Sequence, residues 1–173
     1  MSTRAAFLAT VVYAAVAMIA FGTLLSETLL LYPNIFADVP GSLDLSLEFM
    51  SVTTPNDVLP PIGMANIATA VVAVGLTLRR PAVRLWTAAG LLAIVLGQFI
   101  FSAVYFWPRN QIMFTEGSAQ HTTEYLRRVA EEFQAGHWVR VAAGAVAAVL
   151  ALVASLRMHR ETLIGTQAGK AAD

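Results

Sequence analysis

The chain contains no cysteine. That excludes disulfides, thiolate metal ligands and thiol redox chemistry, and with them the small membrane bundles that pass disulfide electrons to quinones. Charge is scarce too: 13% of the 173 residues are Asp, Glu, Lys or Arg, against about 25% in an ordinary soluble domain. Acidic and basic residues number eleven each and cancel, so net charge points to no partner. No basic patch for nucleic acid, phosphate loop, nucleophile triad or internal repeat is visible. Histidine occurs three times, as His121, His137 and His159, without the HExxH or paired ExxH spacing of a metal site. A b-type haem needs two histidines at one depth on facing helices. His121 and His137 lie on the same late segment and His159 at the far end of the last span, so a cytochrome is not expected.

What fills the chain instead is apolar: 57% of residues are hydrophobic, and they cluster. Four runs, Ala5–Leu25, Ile62–Leu78, Leu85–Trp107 and Trp138–Leu156, approach or exceed the roughly 20 residues that cross a bilayer. The first is too long for the roughly 7–15-residue core of a signal peptide and has no small-x-small cleavage site before "SETLLLYPN", so it reads as a retained helix. The expected fold is all-α, an integral membrane four-helix bundle in residues 1–160, with spans of about 5–31, 60–79, 83–107 and 122–157. A disordered tail is expected over 161–173.

Arg4, Arg79, Arg80, Arg84, Arg157, Arg160 and Lys170 flank the ends of these runs on one side, whereas the connection from Tyr32 to Pro61 carries Asp38, Asp44, Glu48 and Asp57 and no basic residue. The positive-inside rule then places both termini in the cytoplasm and the long first loop outside. The membrane expected is the plasma membrane of a bacterium. Richness in Ala and Arg with little Lys agrees with a GC-rich genome. Within the outer loop "LDLSLEFM" alternates apolar and polar residues, a pattern shared by a short strand and an interfacial segment. Residues 122–133 read as helical, with Tyr125, Leu126, Val129, Ala130 and Phe133 on one face and Glu124–Arg128 as a favourable i,i+4 pair. The fourth helix should therefore project well beyond the bilayer, with Gly136 as its one break signal.

The polar residues of the spans all fall in their outer halves: Glu27 on the first, Asn66 on the second, Gln98, Ser102, Tyr105 and Arg109 as a stripe at i, i+4, i+7 and i+11 on the third, and His137 and Arg140 on the fourth, sharing a face with Phe133 and Gly144. Ionisable residues within a span usually face the bundle interior and mark function. A polar outer-half pocket follows, with His137 and Arg140 as catalytic candidates and Glu27, Asn66, Gln98, Tyr105, Asn110 and Trp138 as substrate-binding candidates. Each has a plainer reading. Arg140 can snorkel to headgroups. Trp138 fits an aromatic belt with Tyr32, Tyr105, Phe106 and Trp107. Glu27 can be an interfacial carboxylate, and Asn66 and Gln98 can be interhelical glue. His137 can be structural. No cofactor is expected. The one metal alternative is a mixed site of His121 and Glu124 with His137, Glu131 or Glu27.

"WPRNQIMF" at the exit of the third span and "FQAGHWVR" at the entry of the fourth resemble the anthrone oxygenase-like family of small membrane proteins, many of them known only as a domain of unknown function. Pro108 and Asn110 match that family's Pro-x-Asn element. Phe133, His137 and Arg140 match its aromatic-x3-His/Asn-x2-Arg element, with Phe133 where tryptophan is common. The resemblance implies a four-helix membrane fold and, for members acting on polyketides, oxygenation of an activated aromatic CH2 by O2 without an evident cofactor. His137 would then be the base, and Arg140, with Asn110 or Gln98, would hold the oxyanion. The expected partners are the lipid bilayer and a hydrophobic small molecule or lipid, with a homo-oligomer open. The alternative function is a non-catalytic membrane subunit or lipid-binding accessory protein docking a partner through its outer loop.

Overall fold

The computed structural model describes residues 2–170. They form five helices: α1 Thr3–Ile35, α2 Gly41–Phe49, α3 Pro55–Thr77, α4 Pro81–Gln120 and α5 Thr123–Lys170. No strand occurs among the described residues. α1, α3, α4 and α5 are each long and apolar enough to cross a membrane.

The packing is that of a bundle meant for an apolar solvent. Small side chains fill the middle: Tyr13, Ala14, Ala17, Ala70, Ala73, Ile94, Ala147, Ala148 and Ala151 form one buried cluster. Larger apolar side chains face outward, with Val104 74% and Leu85 68% exposed while Ala70 and Ala151 are wholly buried. Where the solvent is hydrocarbon, Leu and Val gain nothing by turning inward, and small residues let helix backbones approach closely. Gly97 belongs to this set, because a Cβ there would strike the Ala143 side chain.

The helix starts follow local chemistry. Asp57 accepts hydrogen bonds from both the backbone N–H and the hydroxyl of Thr54, at 2.8 Å each, closing a capping box before Pro55. Pro55 and Pro81 open α3 and α4 at positions where no N–H is needed. Gly117, at φ +53, is the one residue with positive φ among the described residues, just before the end of α4.

Several boundaries differ from those the sequence suggests. The 32–61 connection is largely helical. α2 divides the alternating leucines of "LDLSLEFM" between its faces: Leu43 is buried and Leu47 half-buried one turn on, while Leu45 and Phe49 are exposed. Ser42 ties this helix back to Ile35 (2.8 Å), and its hydroxyl also receives the Asp38 N–H (2.9 Å). α3 begins five residues earlier than expected because of the Thr54 cap. α4 continues past Trp107 to Gln120. α5 continues through residues 161–170, which the sequence assigns to a tail. Glu161 on that stretch pairs with Arg80 at 2.8 Å, and Arg80 also donates to Thr3 at 3.0 Å. These contacts gather the start of α1, the α3–α4 turn and the late part of α5 at one end of the bundle, the termini end. Residues 171–173 lie outside the described residues.

Candidate functional site

The other end, the loop end, is organised by two prolines. α1 widens into a π-helical segment at Glu27–Leu31 and α4 at Ser102–Phe106, each ending two residues before a proline, Pro33 and Pro108. A proline within a helix has no N–H to donate and crowds the carbonyl four residues earlier. A local shift to i→i+5 bonding accommodates both, and such π segments recur at functional sites. α4 has two more, Val95–Ile100 and Gln111–Glu116.

The widening changes which residues meet. Glu27 and Tyr32, five apart, would lie on different faces of an α-helix with 3.6 residues per turn. Here the Tyr32 hydroxyl donates to Glu27 Oε1 at 2.7 Å. On α4 the expected stripe splits. Gln98, Ser102, Phe106 and Asn110, spaced by four, line a cavity. Tyr105 and Arg109 turn instead to α5: the Tyr105 hydroxyl donates to the Glu132 carbonyl (2.8 Å), Arg109 Nη2 pairs with the Glu132 carboxylate (2.6 Å), and the guanidinium stacks on the Tyr105 ring (3.6 Å). Tyr105 is thus a clamp between helices rather than a wall of the site.

The cavity has a volume of about 460 Å³. Its walls are mostly apolar, with contributions from Leu47 and Met50 near the end of α2, Met64 and Ile67 on α3, Phe99 and Phe106 on α4, and Phe133 on α5. Among the described residues, Arg140 is the only charged one that lines it.

Behind Arg140 lies His137, fully buried and absent from the cavity wall. Tyr32, Phe106 and Phe133 enclose it, their ring centroids 4.7, 5.6 and 6.2 Å from its own. Its hydrogen bonds fix its tautomer. Arginine can only donate, so the 3.3 Å contact from Arg140 Nη1 makes Nε2 the acceptor. Nδ1 therefore carries the proton and donates to the Thr28 hydroxyl at 2.6 Å, which donates in turn to the Leu24 carbonyl at 2.8 Å. Glu27 Oε2 stands 3.6 Å from the same Nε2 and has no hydrogen-bond donor.

The structure therefore brings Glu27, His137 and Arg140 together with Tyr32 and Thr28, and sets Gln98, Asn110 and Arg140 around the cavity. Gly144 leaves room for the Gln98 amide, since a Cβ there would lie 3.2 Å from Gln98 Nε2. Asn66 is buried with neither amide atom bonded, and it is not a wall residue. Trp138 is 52% exposed, does not line the cavity and sits on the bundle's outer surface, as an aromatic-belt residue does. His121 pairs with Glu116 at 2.5 Å and Glu124 approaches Arg128 at 4.0 Å. No group of three or more metal-ligating side chains gathers among the described residues.

Thr28 is the site residue that sequence reasoning misses. A threonine in an apolar run looks like any back-bonded helix hydroxyl, and only its position beside Glu27 and ahead of a proline hints otherwise. The α2 wall is missed as well, because its leucines alternate.

Comparisons of the chain with protein-family models, with curated proteins and with solved structures return no match. The reading of the site rests on its geometry.

Proposed function

We propose that this is a membrane-embedded protein, with both termini cytoplasmic, that takes a hydrophobic small molecule into the loop-end cavity and acts on it beside Arg140. The orientation rests on the positive-inside rule: the termini end carries Arg4, Arg79, Arg80, Arg84, Arg157 and Arg160. The cavity then opens in the outer half of a bacterial plasma membrane. The observation that carries the functional reading is the apolar cavity whose sole charged wall residue, among the described residues, is Arg140.

The reaction supported best is of the anthrone oxygenase-like kind. When Arg140 moves onto the carbonyl oxygen of a ketone with an acidic CH2, it frees His137 Nε2 to take the CH2 proton. Arg140 holds the resulting oxyanion, O2 reacts with the carbanion, and the proton returns to the departing water. The CH2 becomes a carbonyl, with one oxygen atom entering the product and the other leaving as water. A guanidinium held in a dry site is suited to the oxyanion role. His137 enters with a changed part. With Arg140 in place its Nε2 does not face the cavity, so it positions Arg140 and meets substrate only when Arg140 moves aside.

The test is oxygen uptake and quinone formation by the purified chain in nanodiscs supplied with a tricyclic aromatic ketone bearing an acidic CH2. Arg140→Gln should lower kcat about 100–1,000-fold, the range for loss of an oxyanion donor. His137→Asn should lower it less. Equal turnover in the wild type and both variants ends the mechanism. A second reading, a non-catalytic or lipid-binding accessory subunit, has one observation in its favour: Phe49, next in sequence to the lining residue Met50, and Val52, close before Thr54, are 86% and 93% exposed. Ligand retention without turnover would support it.

A further inference from the structure

Arg140 differs from the other arginines of the loop end. Arg109 pairs with Glu132, Arg127 with Asp38 and Arg128 with Glu124. Among the described residues no carboxylate lies within 4.0 Å of Arg140, and its five N–H donors find one acceptor, His137 Nε2 on Nη1. Nε has no partner, and Nη2 makes no hydrogen bond within the protein. Nε is buried out of reach, so the free end of the guanidinium at the cavity is Nη2. Gln98 Nε2, a further donor, is likewise without an acceptor, and Gln98 shares the cavity wall with Arg140. Arg140 thus carries a charge at the cavity wall that the Phe106 ring, centred 4.9 Å from its Cζ, offsets only in part and that is costly to leave unpaired in an apolar setting. Glu27, the nearest acidic group by chain of contacts, is turned toward Tyr32 and His137 and does not line the cavity.

We infer that the cavity's ligand is a lipophilic carboxylic acid. Its carboxylate sits on Nη2 of Arg140 at the cavity wall, and its hydrocarbon body runs along Met64, Ile67, Phe99 and Phe106. This rests on the reading of the cavity as a hydrophobic ligand site and not on the oxygenation: the carboxylate takes the place on Arg140 that the oxyanion would hold, so an acid and a ketone substrate compete for it. A single-chain acid suits a cavity of about 460 Å³ better than a two-chain phospholipid.

The experiment is a fluorescence titration of the full chain in nanodiscs with cis-parinaric acid and, separately, its methyl ester, each corrected with empty nanodiscs. The acid should bind at least tenfold more tightly than the ester at pH 8. Arg140→Gln should bring the two within about twofold, and Arg140→Lys, which keeps the charge but not the guanidinium, should fall between. Equal binding of acid and ester to the wild type overturns the carboxylate inference and leaves the hydrophobic cavity standing. Binding of neither overturns the cavity reading as well. Because the acid-to-ester ratio is read on the unaltered chain, a variant that fails to fold does not blunt the test. Displacement of the acid by a lysophosphatidic acid but not by oleate would reassign the site to phosphate and refute the inference.

Discussion

Gly136→Ala tests how the site is held. A Cβ at Gly136 would lie 3.0 Å from both Cδ1 and Cζ of Tyr105 and closer still to Cε1, where carbon atoms normally rest about 3.5–4.0 Å apart. The ring has little room to retreat. Its hydroxyl is bonded to the Glu132 carbonyl, Arg109 covers one face, and Phe101 stacks on it at 5.0 Å. Forcing a methyl into such packing costs about 1–3 kcal/mol, and losing the hydroxyl's bond about 0.5–1.5 kcal/mol more. Alanine returns about 1 kcal/mol of helix propensity. The net expectation is a loss of about 0.5–3.5 kcal/mol. Gly75→Ala is the matched control, because nothing lies within 4 Å of a Cβ there, and it should hold or raise stability. Thermal unfolding in detergent, at roughly 2–4 °C per kcal/mol for a chain of this length, should place Gly136→Ala clearly below wild type and Gly75→Ala at or above it. Combining Gly136→Ala with Tyr105→Ala should cost less than the two singles added, since the clash is then gone. A Gly136→Ala protein melting with Gly75→Ala would show that Tyr105 is not clamped as described.

Two further substitutions probe the buried network. Thr28→Val preserves shape but leaves the His137 Nδ1–H without its acceptor, so it should cost about 1–3 kcal/mol. The ¹⁵N resonances of His137 should report Nδ1 protonated in the wild type and a changed tautomer in the variant; an Nε2-protonated wild type would contradict the hydrogen-bond assignment. Arg140→Met leaves the buried His137 Nε2 without its donor, so it should cost about 1–3 kcal/mol. Its melting temperature should fall by a few degrees while ligand binding is lost, and an unchanged melting temperature would show that Arg140 does not donate to His137.

The bundle was legible because hydrocarbon demands long apolar runs, and those runs are in the sequence whatever the helices do at their ends. The helix ends were less so. The capping box at Thr54 and Asp57 is a readable signal, yet the two prolines at Pro60 and Pro61 draw the eye inward and hide it. In α2 the leucines alternate like those of a strand, and only the hydroxyl of Ser42, folding back onto Ile35, tips the segment to a helix. Gly136 reads as a breaker and is nothing of the kind: α5 passes through it unbroken, and its missing side chain is the space that Tyr105 occupies.

The site itself was half legible, and the missing half has one cause. Depth along each helix was readable, so Glu27, Gln98, His137 and Arg140 could all be assigned to one end. Direction around the helix was not, because a period of 3.6 was applied to stretches that Pro33 and Pro108 force into wider turns. With about one residue more per turn, Phe106 and Asn110 replace Tyr105 and Arg109 on the cavity side of α4, and Tyr32 comes round to Glu27. Both prolines sit in the same local frame, an aromatic residue before and an asparagine shortly after, in "LYPN" and "FWPRN". That repeated element, on two helices at one level, is a mark of the site that can be read without coordinates. It acts by rotating the polar residues before it, so a proline near the end of an apolar span is reason to re-index the preceding two turns before naming a pocket wall.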